Sequence, residues 1–158
     1  MELYYVILNN ITGNNAVAVI DREKRTLIAT WSVAQEGQNN APMAFDEADH
    51  RLFIVTRRPG ELIVLDSDSG KLVTSLPCVG ISDDAVYDAG SKRIYVAGTE
   101  FIDVFKQRDP NRYESIGHVP TAFRAKTAIL VPQLNRYYLA VPHHGDSQAE
   151  VRVYKVVP

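Results

Sequence analysis

The sequence predicts an all-β fold, because its apolar residues lie in short runs rich in Val, Ile, Tyr and Leu that are bounded by turn residues. These runs also repeat along the chain. An arginine begins each of the runs RLFIV, RIYVA and RYYLA. These residues, Arg51, Arg93 and Arg136, are spaced 42 and 43 residues apart. Four short strands in a repeat of this length predict one blade of a β-propeller.

Two complete four-stranded units are predicted, at residues 43–77 and 85–119. We name their strands a to d from the propeller axis outwards. Strand a ends at Asp46 or Asp88, five residues before the arginine that opens strand b. Strands c and d are ELIVLD and KLVTSLP in the first unit, and FIDVFK and RYESIGHV in the second. The segments DSDSGK (66–71) and RDPNR (108–112) are predicted to be turns, with a positive φ at Gly70 in the first of them.

The two ends of the chain form incomplete units. Residues 1–33 supply strands b, c and d as LYYVILN, AVAVID and TLIATWSV. Residues 127–158 supply strands a, b and c as TAILV, RYYLAVP and VRVYKV. We therefore expect a single domain over residues 1–158, a partial β-propeller of about three and a half four-stranded blades.

Several of these segments resemble the YVTN-type β-propeller repeats of bacterial surface-layer and exported proteins. Tyr95-Val96-Ala97-Gly98 stands where such a blade carries its Tyr-Val-Thr-Asn signature, although no copy in this chain has the full signature. The spacing from Ala44-Phe45-Asp46 to Gly70-Lys71-Leu72-Val73 is similar to one blade of that family. The resemblance implies a ring of about seven blades, of which this chain is the C-terminal half, and a family that is often periplasmic or extracellular.

The composition argues against several classes of function. A net charge of −2, with Lys and Arg scattered along the chain, does not favour nucleic acid as a partner. No apolar run approaches the length of a membrane-spanning helix. The first ten residues lack the features of a signal peptide, so the sequence leaves the localisation open. The single cysteine, Cys78, is expected to be structural, and His50 and His118 are expected in or beside turns.

The b–c and d–a loops of a propeller emerge on one face, which we call the loop face. The sequence places eight candidate binding residues there: Arg57, Arg58, Asp83, Asp84, Arg124, His143, His144 and Asp146. We expect a non-enzymatic binding or scaffold protein that uses this face to contact a protein or a surface, without a cofactor. The expected partners are another protein, a missing N-terminal half of the ring, or a second copy in a homodimer.

Two other interpretations remain open at this stage. Asp83 and Asp84 precede an innermost strand, where a propeller lactonase holds its metal, so a metal-dependent hydrolase is the alternative activity. A zinc site needs three or four converging ligands. The sequence has no second histidine cluster that could complete a site with His143, His144 and Asp146, which favours a solvated loop. The chain is also compatible with a non-functional fragment of a longer propeller.

Overall fold

The computed structural model describes residues 6–157, and its strands form four antiparallel sheets. The strands, in chain order, are β1 (Val6–Ile11), β2 (Ala16–Asp21), β3 (Leu27–Ser32), β4 (Met43–Asp46), β5 (Arg51–Arg57), β6 (Gly60–Asp66), β7 (Leu72–Pro77), β8 (Asp84–Asp88), β9 (Arg93–Gly98), β10 (Phe101–Asp109), β11 (Arg112–Pro120), β12 (Thr127–Val131), β13 (Arg136–Val141) and β14 (Glu150–Lys155). Short 3-10 turns at Thr12–Asn14 and Pro132–Leu134 precede β2 and β13.

Each sheet consists of consecutive strands that pair with their neighbours in the chain. The sheets contain β1–β3, β4–β7, β8–β11 and β12–β14. The predicted all-β class and the predicted numbers of strands are thus confirmed, and the four sheets are successive blades of a partial β-propeller. Residues 1–5, which the sequence assigned to the beginning of the first strand, lie outside the described residues.

The repeat predicted from the arginines is present in the strand register. The last residue of strand a pairs with the arginine of strand b in three sheets, as Asp46 with Arg51, Asp88 with Arg93 and Val131 with Arg136. The residue before each arginine has a positive φ: His50, Lys92 and Asn135. A single left-handed residue lets the chain reverse tightly between strands a and b.

The hydrophobic core lies between the sheets. Three clusters of buried side chains join the first sheet to the second, the second to the third, and the third to the fourth. Strands b and c of the second sheet, β5 and β6, and strand b of the third, β9, are therefore covered on both faces and contain runs of consecutive buried residues. The outer strands β3 and β7 are mostly exposed. This burial explains why the inner runs are almost continuously apolar in sequence.

Polar side chains reinforce the junction between the second and third sheets. Asp46 is almost fully buried and accepts hydrogen bonds from the Tyr87 hydroxyl and from Gln107 Nε2, each at 2.9 Å. Arg51 donates from Nε to the Pro110 carbonyl at 2.8 Å and from Nη2 to Asn111 Oδ1 at 3.1 Å. The hydrogen bonds of Asp46 and those of Arg51 cross from one blade to the next, so they hold the blades in register.

Two details differ from the expectations. Strands β10 and β11 extend into the segment 108–112 and leave only the residues between Asp109 and Arg112 as the turn. His118 lies inside β11 and not beside a turn; its ring stacks on Phe101 at 4.0 Å between centroids, and its Nδ1 pairs with Asp103. The sequence does not reveal the contact between His118 and Asp103, because Asp103 lies in the neighbouring strand β10. In residues 6–157 no helix is long and apolar enough to cross a membrane.

Candidate functional site

The loop face carries the candidate residues on the connections of the second, third and fourth sheets. Arg57 ends β5 and Arg58 follows it, while Asp83 precedes β8 and Asp84 begins it. The remaining candidates lie on the loop before β12 and on the long loop between β13 and β14: Arg124, His143, His144 and Asp146. The structure separates them into two groups with different surroundings.

The first group is centred on the Asp83 carboxylate. Lys126 Nζ lies 2.7 Å from Asp83 Oδ2, and the Arg57 guanidinium pairs with the other oxygen while its Nε donates to the Ser82 carbonyl at 3.0 Å. Partial burial raises the pKa of Asp83, but the hydrogen bonds and charges of Lys126 and Arg57 outweigh burial and hold the pKa below its usual value. The carboxylate is therefore ionised and bound on both sides.

Asp84 is also engaged in a contact between blades. Its Oδ2 accepts a hydrogen bond from the backbone N–H of Ala128, in strand a of the next sheet, at 2.9 Å. Asp83 and Asp84 together thus tie the second, third and fourth sheets at the loop face. Within residues 6–157, no group of three or more His, Cys, Asp or Glu side chains is arranged to hold a metal ion.

The second group is an exposed aromatic and cationic cluster, formed by Phe123, Arg124 and His144. The rings of Phe123 and His144 lie 4.4 Å apart between centroids at an interplanar angle of 36°. The Arg124 guanidinium carbon lies 5.9 Å from the centre of the Phe123 ring, within the range of a cation–π contact. Phe123 remains 44% exposed. The stack therefore offers part of an aromatic surface, with a positive charge beside it, to the solvent.

A cleft of about 470 Å³ opens beside this stack. Its polar and charged lining includes Ser147, Gln148, Glu150 and Arg152. Reciprocal backbone hydrogen bonds of 3.1 and 3.0 Å between His144 and Ser147 close the turn that forms one wall, and Gly145 takes the positive φ that this turn requires. His143 and Asp146 are exposed on the same loop.

Sequence reasoning selected Arg124 and His144 but missed Phe123, which brings them together. Phe123 is a single aromatic residue in the polar connection TAFRAK between two strands. Such a residue is a signal that sequence reasoning could have used, because a large apolar side chain in a surface loop often contacts a ligand or another loop. His143, Asp146 and Arg58 are exposed on the same face.

Comparisons with known proteins identify the fold. The sequence matches no family model and no curated protein. Hydrazine synthase from Kuenenia stuttgartiensis has a TM-score of 0.83 at 12% identity, over 96% of this chain and 43% of that chain. A chain of a mitotic checkpoint complex has a TM-score of 0.77 at 10% identity, over 98% of this chain and 46% of that chain.

A third similar structure is the Swd1 β-propeller domain from Myceliophteria thermophila. Its TM-score is 0.65 at 10% identity, over 86% of this chain and 45% of that chain. The neighbours are β-propeller proteins, and at such low identity the likeness concerns the fold alone. The chain spans less than half the length of each of these three chains. This protein thus has the β-propeller fold, while its assignment to the YVTN-type repeats rests on the sequence resemblance.

Proposed function

We propose that this protein is a non-enzymatic binding propeller whose loop face holds a segment of a protein partner. The observation that carries the proposal is the exposed stack of Phe123 and His144 beside Arg124. Aromatic and arginine side chains dominate the binding energy of protein interfaces, because they provide a large contact area and directional polar groups together.

The chemistry of the cleft indicates what kind of segment it would bind. The free part of the Phe123 ring suits an aromatic or large aliphatic side chain, and Arg124 suits a carboxylate next to it. The serine and glutamine side chains that line the cleft can pair with a peptide backbone. The partner segment is accordingly a peptide in which an apolar anchor is followed or preceded by an acidic residue.

The surroundings of Asp83 and Asp84 support this proposal over the metal-dependent hydrolase. A metal ligand needs a lone pair directed at the metal ion, and a catalytic base needs one directed at the substrate. Asp83 already accepts contacts from Lys126 and Arg57, and Asp84 accepts from the backbone N–H of Ala128. We therefore assign both carboxylates a structural role between blades.

The proposal extends to the family and to the rest of the ring. The segment Tyr95–Gly98 and the spacing of the repeats support the YVTN-type family, with its bacterial and exported members. The incomplete first and fourth sheets would then be completed by the strands of a second copy of this chain or of the missing half of the ring. The resemblance to a chain of the mitotic checkpoint complex is consistent with a propeller that works inside an assembly.

Peptide display tests the loop-face proposal. A random peptide library would be selected on the full chain, and the enriched peptides would be measured against wild type, Phe123→Ala and Arg124→Ala. We expect Phe123→Ala to weaken binding by about 2 kcal/mol, the usual effect at an interface hot spot. Phe45→Ala is the matched control, because Phe45 is a comparably exposed phenylalanine that lies in β4, away from the loop face. Enriched peptides that bind wild type, Phe123→Ala and Arg124→Ala equally would overturn the proposal.

A further inference from the structure

The three loops that lead from strand d of one sheet to strand a of the next share a local pattern. Each contains an exposed residue with a positive φ, followed at once by a residue with no exposed surface. The residues with a positive φ are Asn39, Ile81 and Arg124, and the buried residues after them are Asn40, Ser82 and Ala125. The pattern makes the positions of the three loops directly comparable on the loop face.

Ile81 is an unusual residue for the left-handed position. This conformation crowds the Cβ atom of an L-residue, and the crowding is most severe for a side chain that is branched at Cβ. Asn39, at the same position of the preceding loop, is of the residue type that tolerates the conformation best. Ile81 adopts it with a φ of 50°. The backbone at Ile81 is therefore strained in a way that the backbone at Asn39 is not.

Packing in the core does not compensate for this strain. Ile81 is 42% exposed, and in the described part of the chain it belongs to none of the three clusters between the sheets. Its loop is already anchored by Val79, which is buried in the cluster between the second and third sheets. Strained backbone that brings no packing gain is typical of positions that contact a ligand.

The loop of Ile81 is tied directly to the loop of Phe123. Lys126, which follows Phe123 by three residues, places its Nζ 2.7 Å from Oδ2 of Asp83, which follows Ile81 by two residues. The Arg57 guanidinium pairs with the other oxygen of the same carboxylate. These ion pairs hold two exposed apolar side chains, Ile81 and Phe123, at a fixed separation across the third sheet. Anchors that are already in place lower the entropic cost of binding.

The surface between these two side chains has an excess of positive charge. Arg58 and Arg124 are exposed and have no carboxylate partner among the residues that the structure describes. The loops concerned, residues 57–60, 78–84, 99–100 and 121–126, carry four cationic side chains, Arg57, Arg58, Arg124 and Lys126, against three acidic ones, Asp83, Asp84 and Glu100. Charge complementarity therefore favours a partner segment with an acidic residue between its apolar contacts.

We propose that Ile81 is a second anchor of the loop-face site and that the partner segment carries two apolar side chains on either side of an acidic residue. One apolar side chain packs on Phe123, the carboxylate pairs with Arg124, and the other apolar side chain packs on Ile81. The segment thus crosses the loop-face end of the third sheet. This assignment rests on the proposed function and adds to it the course of the segment and a second specificity residue.

The variant Ile81→Asn separates a binding role from a structural one. Asparagine suits the positive φ, so the midpoint of thermal unfolding should rise by about 2–4 °C. The probes are the fluorescein-labelled peptides enriched on wild type from the random library, measured by fluorescence anisotropy. They should bind Ile81→Asn about tenfold more weakly, because one apolar contact is lost. Ile81→Leu keeps an apolar side chain and should retain most of the binding.

Ile116→Asn is the matched control. Ile116 is 43% exposed, as Ile81 is 42% exposed, but it lies in β11 and away from the loop face. This variant should leave peptide binding unchanged and should not raise the thermal midpoint, since Ile116 has no positive φ. A second selection, made on Ile81→Asn, should enrich peptides that keep the acidic residue and only one of the two apolar positions.

The possible failures of this inference and of the proposed function are distinguishable. Peptides that need Phe123 but bind Ile81→Asn as tightly as wild type would overturn the second anchor and leave the loop-face site in place. A lower thermal midpoint in Ile81→Asn would also overturn it, because Ile81 would then serve the fold. Peptides that bind Phe123→Ala as tightly as wild type, or no enriched peptides at all, would overturn both.

A membrane surface is the competing occupant for exposed apolar side chains beside arginines. Cosedimentation with vesicles of phosphatidylcholine and phosphatidylserine tests it. Vesicle binding that is lost in both Phe123→Ala and Ile81→Asn, without enriched peptides, would assign the two anchors to a lipid surface and overturn the proposal of a peptide partner.

Discussion

The buried carboxylate of Asp46 allows a quantitative test of how the blades are joined. Asp46, at the end of β4, is 2% exposed and accepts hydrogen bonds from Tyr87 and Gln107 of the third sheet. Lys92 Nζ lies 3.7 Å from the same carboxylate. One side chain of the second sheet is thus the common acceptor for three groups of its neighbour.

Replacing Asp46 by alanine should destabilise the chain by about 3 kcal/mol. Each hydrogen bond to a charged group contributes about 1.5–3 kcal/mol, and the two that come from the third sheet are lost, together with the weaker one from the backbone N–H of Asp49 at 3.4 Å. The total loss of stability stays near the lower end of the resulting range, because the Tyr87 hydroxyl keeps Gln107 Oε1 as a partner at 2.6 Å. For a domain of this size, the midpoint of thermal unfolding should fall by about 6–12 °C.

The stabilisation should depend on pH in a defined direction. Burial raises the pKa of Asp46, but the hydrogen bonds from Gln107 and Tyr87 outweigh burial and lower the pKa below its usual value of 3.8. A carboxyl whose folded-state pKa is lowered adds stability above its unfolded-state pKa and loses it as the pH falls through the folded-state pKa. The difference in unfolding free energy between wild type and Asp46→Ala should therefore be full at neutral pH and shrink as the pH falls below 3.8.

Urea denaturation followed by circular dichroism, at neutral and acidic pH, measures both effects. Asp88→Ala is the matched control, because Asp88 ends the equivalent strand of the third sheet and, within residues 6–157, its side chain bonds only within its own turn, to Gly90 and Ser91. Equal losses of stability in the two variants, or a difference between wild type and Asp46→Ala that does not change with pH, would refute the reasoning.

Three further predictions concern positions that the repeat makes comparable. Arg51→Ala should lower the unfolding free energy by about 2 kcal/mol in urea denaturation. Arg136→Ala removes, as far as the described residues go, contacts to its own turn only, so it should change the unfolding free energy by less than about 0.5 kcal/mol. Val64→Lys should abolish cooperative unfolding, while Val153→Lys, at the equivalent but 54% exposed position, should preserve it. Burial and the nearby Asp103 raise the pKa of the Cys78 thiol, so a thiol reagent at pH 8 should react only after unfolding; rapid reaction of the native chain would contradict this.

The strands and their register could be predicted from the sequence because they depend on local patterns. A short run rich in Val, Ile, Tyr and Leu between turn residues marks each strand, and the arginine that begins strand b fixes the position of its partner in strand a. The pairs formed by Asp46, Asp88 and Val131 confirm this for three sheets. The positive φ of Gly70 is confirmed as well. In each case the information lies within one blade.

The contacts between blades could not be predicted in the same way. The hydrogen bond from Tyr87 to Asp46 spans 41 residues, and the one from Ala128 to Asp84 spans 44. These separations are close to one repeat, but the repeat alone does not say which side chains face each other. The stack of Phe123 on His144 depends further on the shape of an irregular loop. The candidate residues lie on loops or at the ends of the adjoining strands, and their contact partners became known only from the structure.

The restriction of contacts to neighbouring blades also has a consequence for how the chain folds. A protein in which each unit touches only the next behaves as a one-dimensional array, in which order can begin at one junction and spread. The second and third sheets share the junction that contains Asp46, Arg51 and the buried cluster around Phe53, so we expect these two sheets to form the folding nucleus. Folding would then proceed outwards from this junction in both directions, so that the sheets β1–β3 and β12–β14 would order after the second and third sheets.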